Sequence, residues 1–164
     1  MKTLLLLRHA KSSWKDSVEK DFDRPLNQRG LKAAPAVGRM MAKRKLKPDL
    51  VLSSPAERAR HTTQLVIEAA GLKTELRYDE RIYEATGARL FEIVTQIEDD
   101  AGMAMLVGHN PGLEELLETL TGEPHRLPTA ALVCIELDTD KWSKCRAGAG
   151  RLQWLLKAKD LKAG

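Results

Sequence analysis

Aromatic residues are scarce: three tryptophans, two tyrosines and two phenylalanines make up 4 % of the 164 residues. Nucleic-acid binders usually combine a dense basic stripe with exposed aromatics on which bases stack, and this chain is poor in both. Its 27 basic and 23 acidic side chains leave a formal charge of only +4, with the signs interspersed, as in Asp21 and Asp23 beside Arg24 or Glu114 with Glu115. Cysteine is limited to Cys134 and Cys145, far apart and outside metal-ligand spacing, which fits two free thiols in a reducing compartment. The four histidines, His9, His61, His109 and His125, show no metal-binding spacing, and no GxxxxGK[ST] segment offers a nucleotide cradle, so neither metal nor cofactor is expected. Long apolar runs are missing too, since nothing approaches the roughly 20 residues of a membrane span. The opening MKTLLLL imitates a secretory leader, but Arg8 and His9 end it short of the roughly 7–15 apolar residues a leader needs, and a cytoplasmic protein is expected.

What is present is an alternation of strand and helix signals. Leu4 to Leu7, Asp49 to Ser53 and Met103 to Val107 are continuous apolar runs of the kind that strands buried on both faces use. Between them, roughly Gln28 to Lys45, Ala56 to Ala70 and Ala88 to Glu98 carry helical spacing. The βαβαβ order predicts a single α/β domain over residues 1–164, a mostly parallel sheet covered by helices on both faces. Asn27 reads as an N-cap, Pro48 precedes the second strand, Pro55 marks a helix start and Gly71 a helix end. Pro35 falls inside the first helical pattern, where it either kinks the helix or shifts its start. Leu132 to Leu137 and Arg151 to Leu156 read as two late strands pairing as an antiparallel edge, and Lys157 to Gly164 as a frayed basic tail.

Ligands of open α/β sheets collect beyond the carboxyl ends of the strands. Three such ends carry unusual polar residues: Arg8-His9 after the first strand, Ser53-Ser54-Pro55 followed by Arg58 after the second, and Gly108-His109-Asn110-Pro111-Gly112 after the third. Two arginines and two histidines converging on one rim suit a phosphoryl group. Guanidinium forks hold its oxygens bidentately, and helix-start N–H groups favour an anion. One neutral imidazole attacks phosphorus while the other, protonated in the presence of the anion, binds an oxygen.

Three segments also carry a resemblance: LLLLRHAKSSW at Leu4 to Trp14, SSPAERARHTTQ at Ser53 to Gln64 and LVGHNPG at Leu106 to Gly112. In order and placement they resemble the signatures of the histidine phosphatase superfamily, which includes the phosphoglycerate mutases. Arg24-Pro25-Leu26-Asn27 with Gly30 is similar to the short SixA-type phosphohistidine phosphatases. The resemblance spans Leu4 to Gly112 and implies a metal-independent phosphatase with a phosphoglycerate mutase-like fold. It further implies that His9 is a transiently phosphorylated nucleophile and that Arg8, Arg58 and His109 clamp the phosphoryl oxygens. Asn110, through its backbone N–H, and Ser12 are expected at the substrate rim. Ala10 departs from the glycine of many relatives, which matters only where φ is positive.

Relatives acting on phosphoesters generally take a carboxylic acid from between the second arginine and second histidine to protonate an alkoxide, a role worth roughly 10²–10⁴-fold. Asp79, Glu80, Glu84 and Glu92 are candidates, and Glu84, in RIYEATG before a helix, is the choice. A phosphohistidine substrate needs such an acid less, because its leaving imidazole is protonated directly. The short interval between Arg58 and His109 has no room for a large lid, which favours a phosphate displayed on a protein over an enclosed metabolite. The partner expected is thus a phosphohistidine-bearing protein, with a small phosphoester as the rival substrate and a non-catalytic phospho-ligand module as the second rival.

Blander readings attach to other residues. Arg60 and His61 suit a solvated helix face, and His125 a loop with a rim contact as the lesser reading. Lys11, Lys15 and Arg24 suit drawing an acidic partner toward the site, while Lys15 and Arg24 equally suit being balanced by Asp16, Asp21 and Asp23. Trp14 reads as packed rather than as a partner-binding aromatic. GAGR at Gly148 to Arg151 leads into a strand and lacks the third glycine of a nucleotide loop, so it reads as a turn.

Overall fold

A computed structural model describes residues 1–14 and 20–161. Lys15 and Asp16 lie outside the described residues, as do 162–164. The strands are β1 (Lys2–Arg8), β2 (Leu50–Ser53), β3 (Glu75–Tyr78), β4 (Met103–Gly108), β5 (Leu132–Leu137) and β6 (Gly150–Leu156). The helices are α1 (Gln28–Lys43), α2 (Glu57–Ala70), α3 (Gly87–Thr95) and α4 (Gly112–Thr121). One sheet orders the strands β3-β2-β4-β1-β5-β6. Its first four strands are parallel, and β5 and β6 add the expected antiparallel edge.

The place of β1 in the sheet explains why Leu4 to Leu7 are all apolar. It lies between β4 and β5, with Leu4 opposite Ala104 and Leu7 opposite Val107 on one side and Leu7 opposite Leu132 on the other. Successive side chains point to opposite faces, and both faces are covered. Leu4 and Leu6 enter the core beneath α3 and α4 with Leu113, Leu116 and Leu117. Leu5 and Leu7 enter the other core with Val37, Met41 and Val66 of α1 and α2. All four leucines are fully buried. Each such side chain contributes about 1.5–3 kcal/mol relative to an exposed one.

Local chemistry sets the helix ends. The Asn27 side chain accepts the Gly30 N–H at 2.9 Å, capping α1 as expected. Pro35 neither shifts the start nor ends α1, which runs on to Lys43. Its missing N–H leaves only the carbonyl of Leu31, an exposed residue, without a helical donor. Gly71 closes α2 at a left-handed φ of 66°. Both cysteines are free and buried, and among the described residues no helix is long and apolar enough to cross a membrane.

Two elements lie outside the expected pattern. β3 is an edge strand whose Glu75 and Arg77 face solvent, so it lacks the apolar run of a buried strand. In α4, Leu113, Leu116, Leu117 and Leu120 repeat at helical spacing and are all fully buried. The expected frayed tail is also corrected: Ala158–Asp160 forms a 3₁₀ turn, and Ala158 and Leu161 pack against the core under α1 and α2.

Gly30 allows α1 to start against the segment that follows β1. A Cβ there would stand 2.2 Å from the Lys11 carbonyl oxygen, a backbone atom that cannot swing away. Overpacking of this kind costs about 1–3 kcal/mol. Gly30→Ala is expected to lower the unfolding free energy read from urea curves by that amount, and an unchanged midpoint and slope would show that the approach of α1 is not tight.

Candidate functional site

The strand ends do converge. β1 leads into His9, β4 into His109 and β2 into Ser54, and these three strands are sheet neighbours. Connections leave β1 toward α1 on one face and β4 toward α4 on the other, so a crevice opens between their carboxyl ends. The His9 and His109 rings lie 5.1 Å apart between centroids. Backbone bonds hold the strand end: the N–H of His9 reaches the Gly108 carbonyl, and the N–H of Ala130 reaches the carbonyls of both Arg8 and His9.

His9 is 6 % exposed. Its Nδ1 lies 2.7 Å from the carbonyl oxygen of its neighbour Ala10, which can only accept, so Nδ1 carries the proton and Nε2 the lone pair. Burial is the main cause that lowers its pKa, to about 3, with the charges of His109, Arg58 and Arg8 adding to it against the raising effect of the Ala10 bond. The His109 Nε2 sits 2.7 Å from the Ser54 hydroxyl. Burial, then the Arg58 charge, lower its pKa to about 4, while the Asp21 carboxylate opposes them. Both rings are therefore neutral near pH 7.

Arg58, 6 % exposed, projects from the first turn of α2. Its Nη1 donates to the Asp21 carbonyl at 2.8 Å and its Nη2 to the Asp21 carboxylate at 3.0 Å. The Arg8 Nη1 donates to the Leu127 carbonyl at 3.0 Å. Among the described residues, four buried polar side-chain atoms are left without a protein partner: Nε of Arg8, Nε of Arg58, Nδ1 of His109 and Oδ1 of Asn110. An unpartnered buried polar atom costs about 1–3 kcal/mol, and here three are nitrogens at one rim.

The remaining predicted residues lie around this centre. Asn110 precedes Pro111 through a cis peptide bond, and its side-chain amide donates to the Leu127 carbonyl at 2.8 Å. The Ser12 hydroxyl accepts from the Arg24 guanidinium at 2.8 Å. Glu84 is exposed, holds a left-handed φ of 55° and lies beside the Tyr83 hydroxyl, whose pKa is raised by burial, then by Asp21 and Glu84. The Asp79 carboxylate is bonded to Arg81. Ala10 is buried with no positive φ, its N–H on the Thr62 hydroxyl at 2.9 Å, so the methyl group brings no strain.

Asp21 and Tyr83 are the site residues the sequence reading missed. A carboxylate runs against the expected chemistry of an anion site, and Tyr83 was eclipsed by its neighbour Glu84. The Asp21 carboxylate accepts from Arg58, from Arg24 at 2.9 Å and from the Tyr83 hydroxyl at 2.7 Å. Burial raises this carboxyl, but the hydrogen bonds from Tyr83, Arg24 and Arg58 and the Arg58 charge outweigh it and bring it to about 2. The Tyr83 ring stands edge-on to His109 at 5.6 Å. The expected packing of Trp14 is corrected: it is 78 % exposed, with the Arg24 guanidinium 3.4 Å over its ring. Arg60 pairs with Glu57 on the flank of α2.

The model of the histidine phosphatase superfamily (branch 1) matches residues 4–90. The chain belongs to that superfamily. Similar proteins include an uncharacterized chloroplastic protein of Arabidopsis thaliana, 30 % identical over 93 % of this chain and 74 % of its own length. A crystal structure of the candidate phosphohistidine phosphatase SixA of Agrobacterium tumefaciens superposes with a TM-score of 0.82 at 33 % identity, covering 94 % of this chain and 97 % of that one. A structure of the protein histidine phosphatase SixA with tungstate shares the fold, at a TM-score of 0.84 and 20 % identity over 98 % of this chain and 99 % of that one. A histidine phosphatase chain with this fold is read as a phosphatase.

Two outcomes follow from the electrostatics. Removing the Asp21 charge beside Arg58 and His109 favours an incoming anion, so Asp21→Asn is expected to bind inorganic phosphate about tenfold more tightly, or about 1.4 kcal/mol, by calorimetry. Weaker binding would mean that Asp21 serves the anion by holding Arg58 in place. For the imidazoles, the unfolded chain binds protons near their ordinary pKa of about 6.5, whereas the folded chain does so only near 3 and 4. Their cost to the folded state is thus absent above that value and grows as pH falls toward 4. Urea midpoints between pH 7 and 4.5 are expected to fall more steeply in the wild type than in His9→Asn/His109→Asn, and parallel slopes would contradict the neutral, buried pair.

Proposed function

We propose that this superfamily member dephosphorylates phosphohistidine in proteins through a covalent intermediate on His9. The observation that carries the reading is the tautomer and setting of His9: Nδ1–H is engaged by Ala10, Nε2 keeps its lone pair, and unpartnered nitrogens of Arg8, Arg58 and His109 belong to the residues around it. In the first step Nε2 of His9 attacks phosphorus in line. The bond from phosphorus to the substrate imidazole breaks, its electron pair stays on the leaving nitrogen, and that nitrogen takes a proton from solvent. Arg8 and Arg58 meet the charge on the phosphoryl oxygens, and His109 takes up a proton as the anion raises its affinity for one. Water then attacks phosphorus, the bond to Nε2 returns its electrons to the ring, and inorganic phosphate leaves.

The protein substrate is supported by how the chain between the two halves of the site is used. From Arg58 to His109 it is spent on α2, β3, the 3₁₀ turn at Glu80–Ile82, α3 and β4, with no segment of lid size. A histidine on a partner's surface can enter such a rim. Ser12 and the Asn110 backbone are assigned to its edge, and Glu84 is assigned as the acid used when an alkyl phosphate is the substrate.

Phosphate release from a phosphohistidine-bearing carrier protein, run beside p-nitrophenyl phosphate and sugar phosphates, tests this reading. The carrier is expected to be preferred and His9→Ala to lose nearly all turnover. Glu84→Gln is expected to lose roughly 10²–10⁴-fold on an alkyl phosphate and little on the carrier. Turnover of small esters alone would remove the protein substrate, and retained activity in His9→Ala would remove the mechanism.

A further inference from the structure

Beside the candidate site lies a basic trough that the phosphoryl chemistry does not use. It begins as a cavity of about 650 Å³ bordered by Arg8 and Asn110 on the site side and by Arg29, Arg126, Lys157 and Lys159 beyond. A second cavity of about 650 Å³ adjoins it, sharing Arg29, Thr129, Ala158 and Lys159 and adding Lys11, Lys32 and Arg39. The floor of this second part is apolar, with Leu31, Ala33, Pro35, Ala36 and Leu161. Four chain segments that are distant in sequence build it: the segment after β1, α1, the stretch before β5 and the 3₁₀ turn after β6.

The charge there is unbalanced. Arg29, Arg126, Lys32, Arg39 and Lys159 have no ion pair among the described residues, whereas arginines 24, 58, 60, 77, 81 and 89 each face a carboxylate. Among the described residues the one acid lining the trough is Glu114, which already accepts the Leu127 backbone N–H at 2.7 Å. A chain whose overall charge is only +4 thus collects unpaired cations along one line that starts at the proposed phosphoryl clamp. Concentrated charge of one sign on a surface attracts and orients a partner of the opposite sign.

Size and lining decide what that partner is. One of these cavities already falls within the range that encloses a small ligand, and the trough continues through both. A metabolite with a second phosphate would fill the first part and leave the apolar floor of the second unused. A polypeptide with acidic side chains along one edge and apolar ones beneath it would use both. We infer that this trough docks an acidic segment of the substrate protein next to its phosphorylated histidine, with Arg29, Arg126 and Lys159 as its chief contacts. The inference rests on the proposed protein substrate for its biological meaning, but the binding site is testable without turnover.

The probe is a dye-labelled peptide with alternating acidic and apolar residues, compared with a version in which Ser replaces every acid, and binding is read by anisotropy at 50 mM and 300 mM salt. The acidic peptide is expected to bind about tenfold more tightly at low salt and to lose most of that advantage at high salt. Arg29→Ala/Arg126→Ala/Lys159→Ala should abolish the preference. Lys43→Ala/Lys47→Ala/Lys73→Ala, an equal charge loss at the opposite end of the strands, should keep it. Equal loss in both triple variants, or no preference in the wild type, overturns the trough as a site. Competition by a bisphosphate that equals the peptide's own affinity assigns the trough to a small second anion and overturns the polypeptide partner. Turnover of p-nitrophenyl phosphate should match the wild type in both triples, which separates this result from any failure of the proposed phosphohistidine activity.

Discussion

The end of β1 is pinned from three sides, and the candidate site depends on that. Arg8 and His9 continue a strand paired with β4 on one edge and β5 on the other, and their carbonyls both receive the N–H of Ala130. Ala130 holds a positive φ of 63° to do so, a conformation that costs an L-residue about 1–2 kcal/mol. The four fully buried leucines before Arg8 supply stabilisation well beyond that cost, since both helical layers close on them. A packed core thus fixes a backbone, and the backbone fixes an imidazole whose Nδ1–H meets its neighbour's carbonyl.

Electrostatics at this strand end has one consistent direction. Burial and the arginine charges both disfavour a proton on either histidine, which suits a nucleophile that works as a free base. The same cations leave the rim short of negative charge until an anion arrives. Asp21 supplies part of it, held by Arg58, Arg24 and Tyr83 at once. Of the two readings of Arg24, a charge for drawing partners or one balanced by nearby acids, the second holds: it is occupied by Asp21, and by Ser12 and the Trp14 ring as well. Attraction of an acidic partner passes instead to the unpaired cations of the trough.

The legible parts of the molecule were those where one physical demand acts on contiguous residues. β1, β2 and β4 are buried on both faces and show unbroken apolar runs; Asn27 and Gly71 end helices by chemistry confined to one turn. β3 was illegible because an edge strand with charged, exposed positions has no pattern to distinguish it from a loop. The convergence of Arg8, His9, Arg58 and His109 was readable because ligands gather at the ends of parallel strands, so placement followed from topology. Asp21 was not, because its role arises from a contact with α2 that nothing local in Asp21–Asp23 announces. The trough was invisible for the same reason, being assembled from segments that share no sequence neighbourhood.

Asp21 also bears on which ligand the rim prefers. It engages both terminal nitrogens of Arg58, one through its carbonyl and one through its carboxylate, and leaves Nε without a protein partner. A phosphoryl group bound there shares Arg58 with Asp21. A carboxylate ligand brings two oxygens and one charge, no more than Asp21 itself already offers. A phosphoryl group brings three oxygens, and Nε of Arg58, Nε of Arg8 and Nδ1 of His109 are the buried nitrogens left without a protein partner among the described residues. On the proposed function, that number of open positions favours phosphoryl over carboxylate at a site that carries a carboxylate of its own.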